Sequence, residues 1–483
     1  MVFTLLFAGA TALVCLLLYN SATLANTKTK LQNAADAGAY SSGLLLARDH
    51  NFSAYTNRAM VANQVAVAQL VSLKSYLEDA ANTHARLTNK LHTSQSRKAI
   101  FKPAWTTAKT IPVQAIDNTY SKMAGKAVKN IDTLIEAFNR AQQLHHLATA
   151  ANVVFVADEV VKRNDPLAGI SKGTFQIGNQ GVQIKRWDGY TNRHRANDPS
   201  AQADRFANVV VSEQSTDRFT RDRRSSPLPS WISVPTREAC LKLIPIVTRF
   251  KFDHRGGTIL SSNKKRWLAL DATLGGGVVV CLLGKIPVPY PLTDGAGGSG
   301  GAVAGAGGPY NDQIGFRGNP AATRYYGLAL THRDARRPAR LRYAKGPGMT
   351  LDSSAGLQDY YRDVANTTGT PANQSPELNG GQAPLTIEVV REGSSIRTAA
   401  KILPAAKNIK LEDQGGLKGN SMRALSSAHA YFYRAKTDSS VFTKAGWKRA
   451  DNKSEMANLF NPYWQVRLVD RTDQERIASV RAQ

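Results

Sequence analysis

The first 27 residues of the chain carry no charged side chain. Within them Met1–Tyr19 is an uncharged, predominantly apolar run, and at 1.5 Å per residue roughly 20 such residues cross a bilayer core as a helix. The sequence then enters Leu31-Gln32-Asn33-Ala34-Ala35-Asp36-Ala37 with no turn residue between. From Thr23 to Arg48 there is no proline, glycine occurs only at Gly38 and Gly43, and alanine is dense. The apolar helix is therefore expected to continue unbroken into water.

Three readings compete for the N-terminal segment. A cleaved secretory signal, with a cleavage point after Ala25, lacks the basic residues that normally precede the apolar stretch, since nothing basic comes before Lys28. An ordinary signal anchor is opposed by Lys28, Lys30 and Arg48, whose position on the carboxyl side would hold the body in the cytoplasm. Both difficulties vanish if a short basic leader once preceded Met1 and was removed on the cytoplasmic face, the expectation preferred on the sequence.

The string Lys28-Thr29-Lys30-Leu31-Gln32-Asn33-Ala34-Ala35-Asp36-Ala37-Gly38-Ala39, following an apolar helix and a polar exit at Asn20-Ser21, resembles the N-terminal module of TadG-like proteins of tight-adherence (Flp) pilus systems. The resemblance covers about the first 60 residues, and it departs at Thr4, Leu5 and Asn20, where relatives often carry acidic residues. It implies a bacterial inner-membrane or pilus-associated protein with its body in the periplasm or outside the cell, whose partners are other pilin-like subunits, the pilus assembly machinery and membrane lipid. On that view Gln32, Asn33, Ala34, Ala35, Asp36, Gly38 and Ala39 form a helix–helix assembly surface, small enough for another subunit's helix to approach closely. Asp36 is then either solvated or paired with a Lys or Arg on a neighbouring helix.

The fold class expected is α+β. The divisions are an N-terminal helical module over 1–55, an antiparallel helical region over 56–165, and a β-rich body over 166–483. In the helical region Ala66, Leu70, Leu73, Leu77, Ala80, Leu87 and Leu91 recur at helical spacing. A second helix from about Val113 to Lys162 carries Ile131, Leu134, Ile135, Phe138, Ala141, Leu144, Ala148, Ala151 and Phe155 on what reads as its core-facing side. After Asn164-Asp165-Pro166 the period shortens to strands such as 267–270, 278–283, 385–390 and 463–469. Two inserts, 294–309 of Gly, Ala and Ser and 367–383 of Asn, Gly, Pro and Gln, read as flexible loops.

Lys and Arg number 62 against 36 Asp and Glu, a net charge of +26 that favours polyanionic neighbours such as an acidic surface polymer, extracellular DNA or lipid headgroups. Arginine concentrates at Arg218, Arg221, Arg223 and Arg224, and again at Arg333, Arg336, Arg337, Arg340 and Arg342, in the density that suits bidentate capture of anions. The plainer alternative is a solvated face paired with Asp217, Asp222 and Asp334. Cys240 and Cys281 are the only thiols beyond Cys15, and an oxidised pair would close a loop of about 42 residues, against two separately buried thiols.

Chemical motifs are missing. The glycine stretch 295–301 precedes no helical pattern, and the sequence holds no Walker A loop, G-x-S-x-G elbow or H-E-x-x-H. Asp271 and Asp352 begin approximations of a D-x-S-x-S metal site, but each lacks the last hydroxyl ligand, so a strand-end Asp capping a turn is the ordinary account. His145 and His146 are neighbours on one helix with no ligand four residues away, and read as polar-face residues. No catalytic residue, metal or cofactor is expected. The reading is a non-enzymatic pilus component; the alternative is an envelope-anchored binder of DNA or acidic polysaccharide.

Overall fold

The computed structural model describes residues 1–93, 112–171, 187, 190–194, 205–225, 231–234, 245–260, 266–283, 286–291, 296–305, 350–351, 360–364, 384–396, 421–433 and 457–470. The chain is α+β, with one long apolar N-terminal helix, a second long helix and antiparallel sheets. Helix α1 runs without interruption over Val2–Thr93, 92 residues, and α2 over Val113–Asn164. The first proline of the chain is Pro103, so nothing in the first hundred residues forces α1 to stop. Pro112 precedes the first turn of α2, where its missing N–H is not needed. Lys162 and Arg163 complement the dipole at the other end, ahead of Pro166.

The chain forms two compact units, each built from separate segments of the sequence. One comprises Met1–Arg58, Asn139–Arg193 and Tyr361–Gln483, the other Ala59–Phe138 and His194–Tyr360. Each unit thus owns a segment of both helices. The sequence signals no break at these points because a helix that changes neighbours need not change its own hydrogen bonding.

In the first unit, strands β1 (Ala168–Ile170), β10 (Leu385–Glu392), β11 (Ser421–Phe432) and β12 (Trp464–Val469) form an antiparallel sheet in the order β1-β10-β11-β12. Leu385, Ile387 and Val389 alternate along β10 and pack with Ala424, Ala428, Ala430 and Phe432 of β11 against the helices. The helices run antiparallel here: Ser42 donates to the Val153 carbonyl, and Gln142 donates to Asn57 Oδ1. Two glycines permit the close approach. A Cβ on Gly38 would lie 2.8 Å from Val161 Cγ2 and 2.9 Å from Ile387 Cδ1, and one on Gly43 would meet Val466 and Ala428.

In the second unit, β3 (Trp231–Val234), β4 (Pro245–Leu260), β5 (Arg266–Leu283), β6 (Ile286–Pro291), β7 (Ala296–Gly305) and β8 (Thr350–Leu351) make a six-stranded sheet. Its spine is the β4–β5 hairpin, which pairs Gly256 with Asp271 and His254 with Thr273. Beyond it, β7 pairs with the first half of β5 and β6 with the second. Here the loop expected over 294–309 is overturned across Ala296–Gly305, which is strand β7. Glycine is required there because α1 comes so close that a Cβ on Gly300 would strike the Ser75 carbonyl and the Asp79 amide. The insert at 367–383 lies outside the described residues.

Candidate functional site

Helix α1 exposes its large apolar side chains from the start: Phe3 is 87 % accessible, and Val2, Leu5, Leu6, Phe7 and Leu18 are likewise exposed. This is the one helix among the described residues long and apolar enough to cross a membrane, and the same properties suit a signal sequence. Burial begins at Leu31, where Lys28 also donates to the Arg423 carbonyl.

The surface assigned to a neighbouring subunit's helix is already occupied by this chain. Leu31, Ala34, Ala35 and Ala39 are buried with Ala157 and Val161 of α2 and with Ile387, Val389, Ala424 and Ala428 of the sheet, and Gly38 fits between Val161 and Ile387. Asp36, expected to be solvated or paired with a cation, accepts from Gln32 at 2.8 Å, while Gln32 also donates to the Leu425 carbonyl. Asn33 is exposed. Small residues on a helix signal close packing, but their pattern cannot distinguish a helix of another chain from the chain's own sheet.

The arginine cluster separates as well. Arg218 is exposed on the short helix α4 (Arg218–Arg221; a preceding helix, α3, spans Arg205–Val210), Arg221 pairs with Glu213 at 3.3 Å, and Arg224 pairs with Asp222 at 2.8 Å. Arg223 turns inward and is buried. An anion-binding set of four is therefore not assembled. Arg333, Arg336, Arg337, Arg340, Arg342, Asp352 and Cys240 lie outside the described residues, and Cys281 is placed only by its backbone, in β5 opposite Pro245 and Val288.

Arg223 belongs to a buried charge network that fastens α1 to the β4–β5 hairpin. Its guanidinium holds Asp271 in a two-pronged pair, Nε to Oδ1 and Nη2 to Oδ2, both at 2.7 Å. Asp271 Oδ1 also faces His254 Nε2 at 3.1 Å, and on its other side His254 Nδ1 lies 3.2 Å from Asp79 Oδ2 of α1. Thr273 donates its hydroxyl to Asp79 and its amide to the same carboxylate, and the Thr258 hydroxyl joins Ser72 of α1 to Arg223. Gly256 leaves room for this: a Cβ there would collide with the Asp271 carboxylate. Asp271 is thus neither a metal ligand in waiting nor a strand-end cap, but the middle of β5.

Two carboxylates face two cations in this network. Burial alone would lower the His254 pKa, but hydrogen bonds to Asp271 and Asp79 and their charges outweigh it and lift it to about 9. For Asp271 burial works upward, and Arg223 together with His254 holds the carboxyl below its ordinary value. A histidine between carboxylates beside a hydroxyl has the inventory of nucleophilic catalysis. Here, however, Asp271 is fully buried, His254 and Thr273 are 1 % accessible, and an imidazolium is no base.

A second buried cluster joins α1 to α2 in the same unit. Lys74 meets Asp117 at 2.8 Å and Glu78 at 3.6 Å, and burial, reinforced by Asp117, pushes Glu78 up to about 8 against the pull of Lys74. In the first unit, Asp49 is bonded by both His145 and His146, at 2.8 and 2.9 Å, through its two oxygens. His146 is buried beside Trp187, and His145 stacks on Phe52, so these histidines belong to the helix interface and not to a polar face. Among the described residues no group of His, Cys, Asp or Glu is placed to hold a metal ion.

Asp79 and His254 escape notice in the sequence, and Thr273 shows there only as the hydroxyl two residues after Asp271. The available signal is weak: β4 alternates Phe252, His254, Gly256 and Thr258 on one face, which marks His254 as inward. Comparison of the chain with protein-family models, curated proteins and solved structures returns no match.

Proposed function

We propose that this chain is a non-enzymatic, pilin-like assembly component of a tight-adherence pilus, held in the bacterial envelope by the first two dozen residues of α1 with its body on the far side of the inner membrane. The reading rests on one observation: α1 exposes an apolar, uncharged surface up to Tyr19 and then, as the same helix, becomes the core of a folded unit from Leu31 onward. A helix built this way needs lipid or other apolar helices around its first part and a rigid body on its second. The sequence resemblance over the first 60 residues supplies the name of the system.

The experiment is site-specific photo-cross-linking in cells, with the cross-linker at Leu13. Adducts with pilin-like subunits, from a chain that stays membrane-bound through alkaline extraction, are the expected result. A chain released as a soluble protein lacking this segment would overturn the reading. The net charge of +26 favours a second reading, an anchored binder of DNA or acidic polysaccharide, which predicts retention on both polymers at 0.15 M salt and no subunit adducts.

A further inference from the structure

The second half of the apolar stripe read along α2 faces outward, although Ile135 in its first half is fully buried. Leu144 is 68 %, Leu147 66 % and Phe155 67 % accessible, and Ala148 and Ala151 between them are exposed, while the buried face of the same turns carries Gln142, His146 and Thr149 beside Val153. From Ala141 to Ala157 there is no Lys, Arg, Asp or Glu. A monomer would have placed its polar residues the other way round.

The bilayer is not the occupant. Ser42 of α1 bonds the Val153 carbonyl, and 23 residues of unbroken helix separate Tyr19 from Ser42, about 35 Å at 1.5 Å per residue. With the apolar segment in lipid, the stripe stands beyond a hydrocarbon core of roughly 30 Å. A protein surface must cover it.

The spacing selects which protein. Leu144, Ala148, Ala151 and Phe155 follow one another at steps of four, three and four, which read identically in both directions, with small residues in the middle and large ones at the ends. A second copy of α2 running antiparallel therefore sets Ala148 over Ala151, where backbones approach closely, and Leu144 over Phe155 at each end. The flanking charges agree: Arg140, four residues before Leu144, comes level with Glu159, four residues after Phe155, which its own Arg163 already holds at 2.5 Å. A parallel pairing would bring like charges level. We infer that this face of α2 is a two-fold, antiparallel interface between two copies of the chain, an assignment that does not depend on the pilus reading.

The test uses the full chain in detergent micelles, mixing unlabelled chains bearing a photo-cross-linker at Leu144 with ¹⁵N-labelled chains. Cross-links from position 144 to residues 151–159 of the labelled copy are expected. Leu147→Glu should raise the dimer dissociation constant at least tenfold while circular dichroism shows both helices intact, and Leu147→Met should restore pairing. Cross-links to residues 140–148 of the second copy, or none between copies, would overturn the assignment, as would a Leu147→Glu chain that stays folded and still pairs.

Discussion

In the first unit α1 meets its sheet through Leu31, Ala34, Ala35, Gly38 and Ala39, whereas in the second the same helix meets its sheet through Ser72, Ser75, Glu78 and Asp79. The first contact is mainly one of shape: small residues let the helix lie close to Ile387 and Val161, and Lys28, Gln32 and Asn51 add hydrogen bonds to strand backbone at its margins. The second contact is addressed atom by atom, with Asp79 on Thr273 and His254, and Asp271 on Arg223. Ionic contacts of that kind fix the register of helix on sheet. They also leave an uncompensated buried charge if one member is lost, so the second unit should fail from smaller chemical changes than the first.

The largest effect should come from Asp271→Asn. The shape is kept and the charge removed, which leaves Arg223 and His254 opposite Asp79 alone, and breaking a buried pair in this way costs about 3–5 kcal/mol. Hydrogen exchange followed by mass spectrometry should show β4, β5 and β7 opening together while β10 and β11 keep their protection. Equal loss in both units would mean that the network is not local to the second.

Alkali should weaken the same unit. His254 titrates near 9 in the folded chain against about 6.5 when unfolded, so its contribution is complete below pH 6.5 and disappears as the pH rises through 9. A rise of that size corresponds to about 3 kcal/mol at most, at 1.36 kcal/mol per unit. Asp271 acts in the other direction, adding stability above the ordinary carboxyl range that is lost as acid titrates its lowered folded value. Denaturation midpoints of the second unit should fall between pH 7 and 10, and His254→Gln should flatten that slope. An unchanged slope in the variant would remove His254 from the account.

Gly38→Leu tests the close-packed contact. A side chain there would push against Val161, Ile387 and the Ala157 carbonyl, so the first unit should lose about 1–3 kcal/mol, the usual cost of overpacking, with faster exchange in β10. A surface meant for another subunit would instead accept the change without loss of stability.

The sequence conveys the periodic and compositional parts of this molecule. It conveys the uncharged start of α1, the limits of α2 at Pro112 and Pro166, and strands such as 385–390, because each is written in consecutive residues. It misleads where two patterns have equal local meaning. The stripe at Leu144, Ala148, Ala151 and Phe155 has the spacing of a core face and lies outside; Gln142, His146 and Thr149 look like a solvated face and lie inside, bonded in part to Asn57 and Asp49. The stretch 297–301 has the composition of a loop and forms a strand, and at Gly300 the proximity of Ser75 and Asp79 is what requires glycine. The Arg223–Asp271–His254–Asp79 network joins residues up to 192 positions apart, and no single stretch announces it.

The smallest expected effect is at the edge of the first unit's sheet. Asn51 of α1 accepts from the Trp464 amide and donates to the Trp464 carbonyl, both at 3.0 Å, so one side chain stands where a neighbouring strand's backbone would. Asn51→Ala removes two hydrogen bonds, but the site is only partly buried and water can replace them in part, so the cost should be about 1 kcal/mol. Exchange should quicken at Trp464 and along β12, with β10 and the second unit unchanged. Asn51→Asp keeps the acceptor and loses the donor, and should fall between the two. If Asn51→Ala leaves β12 as protected as before, this strand is held by its pairing with β11 alone.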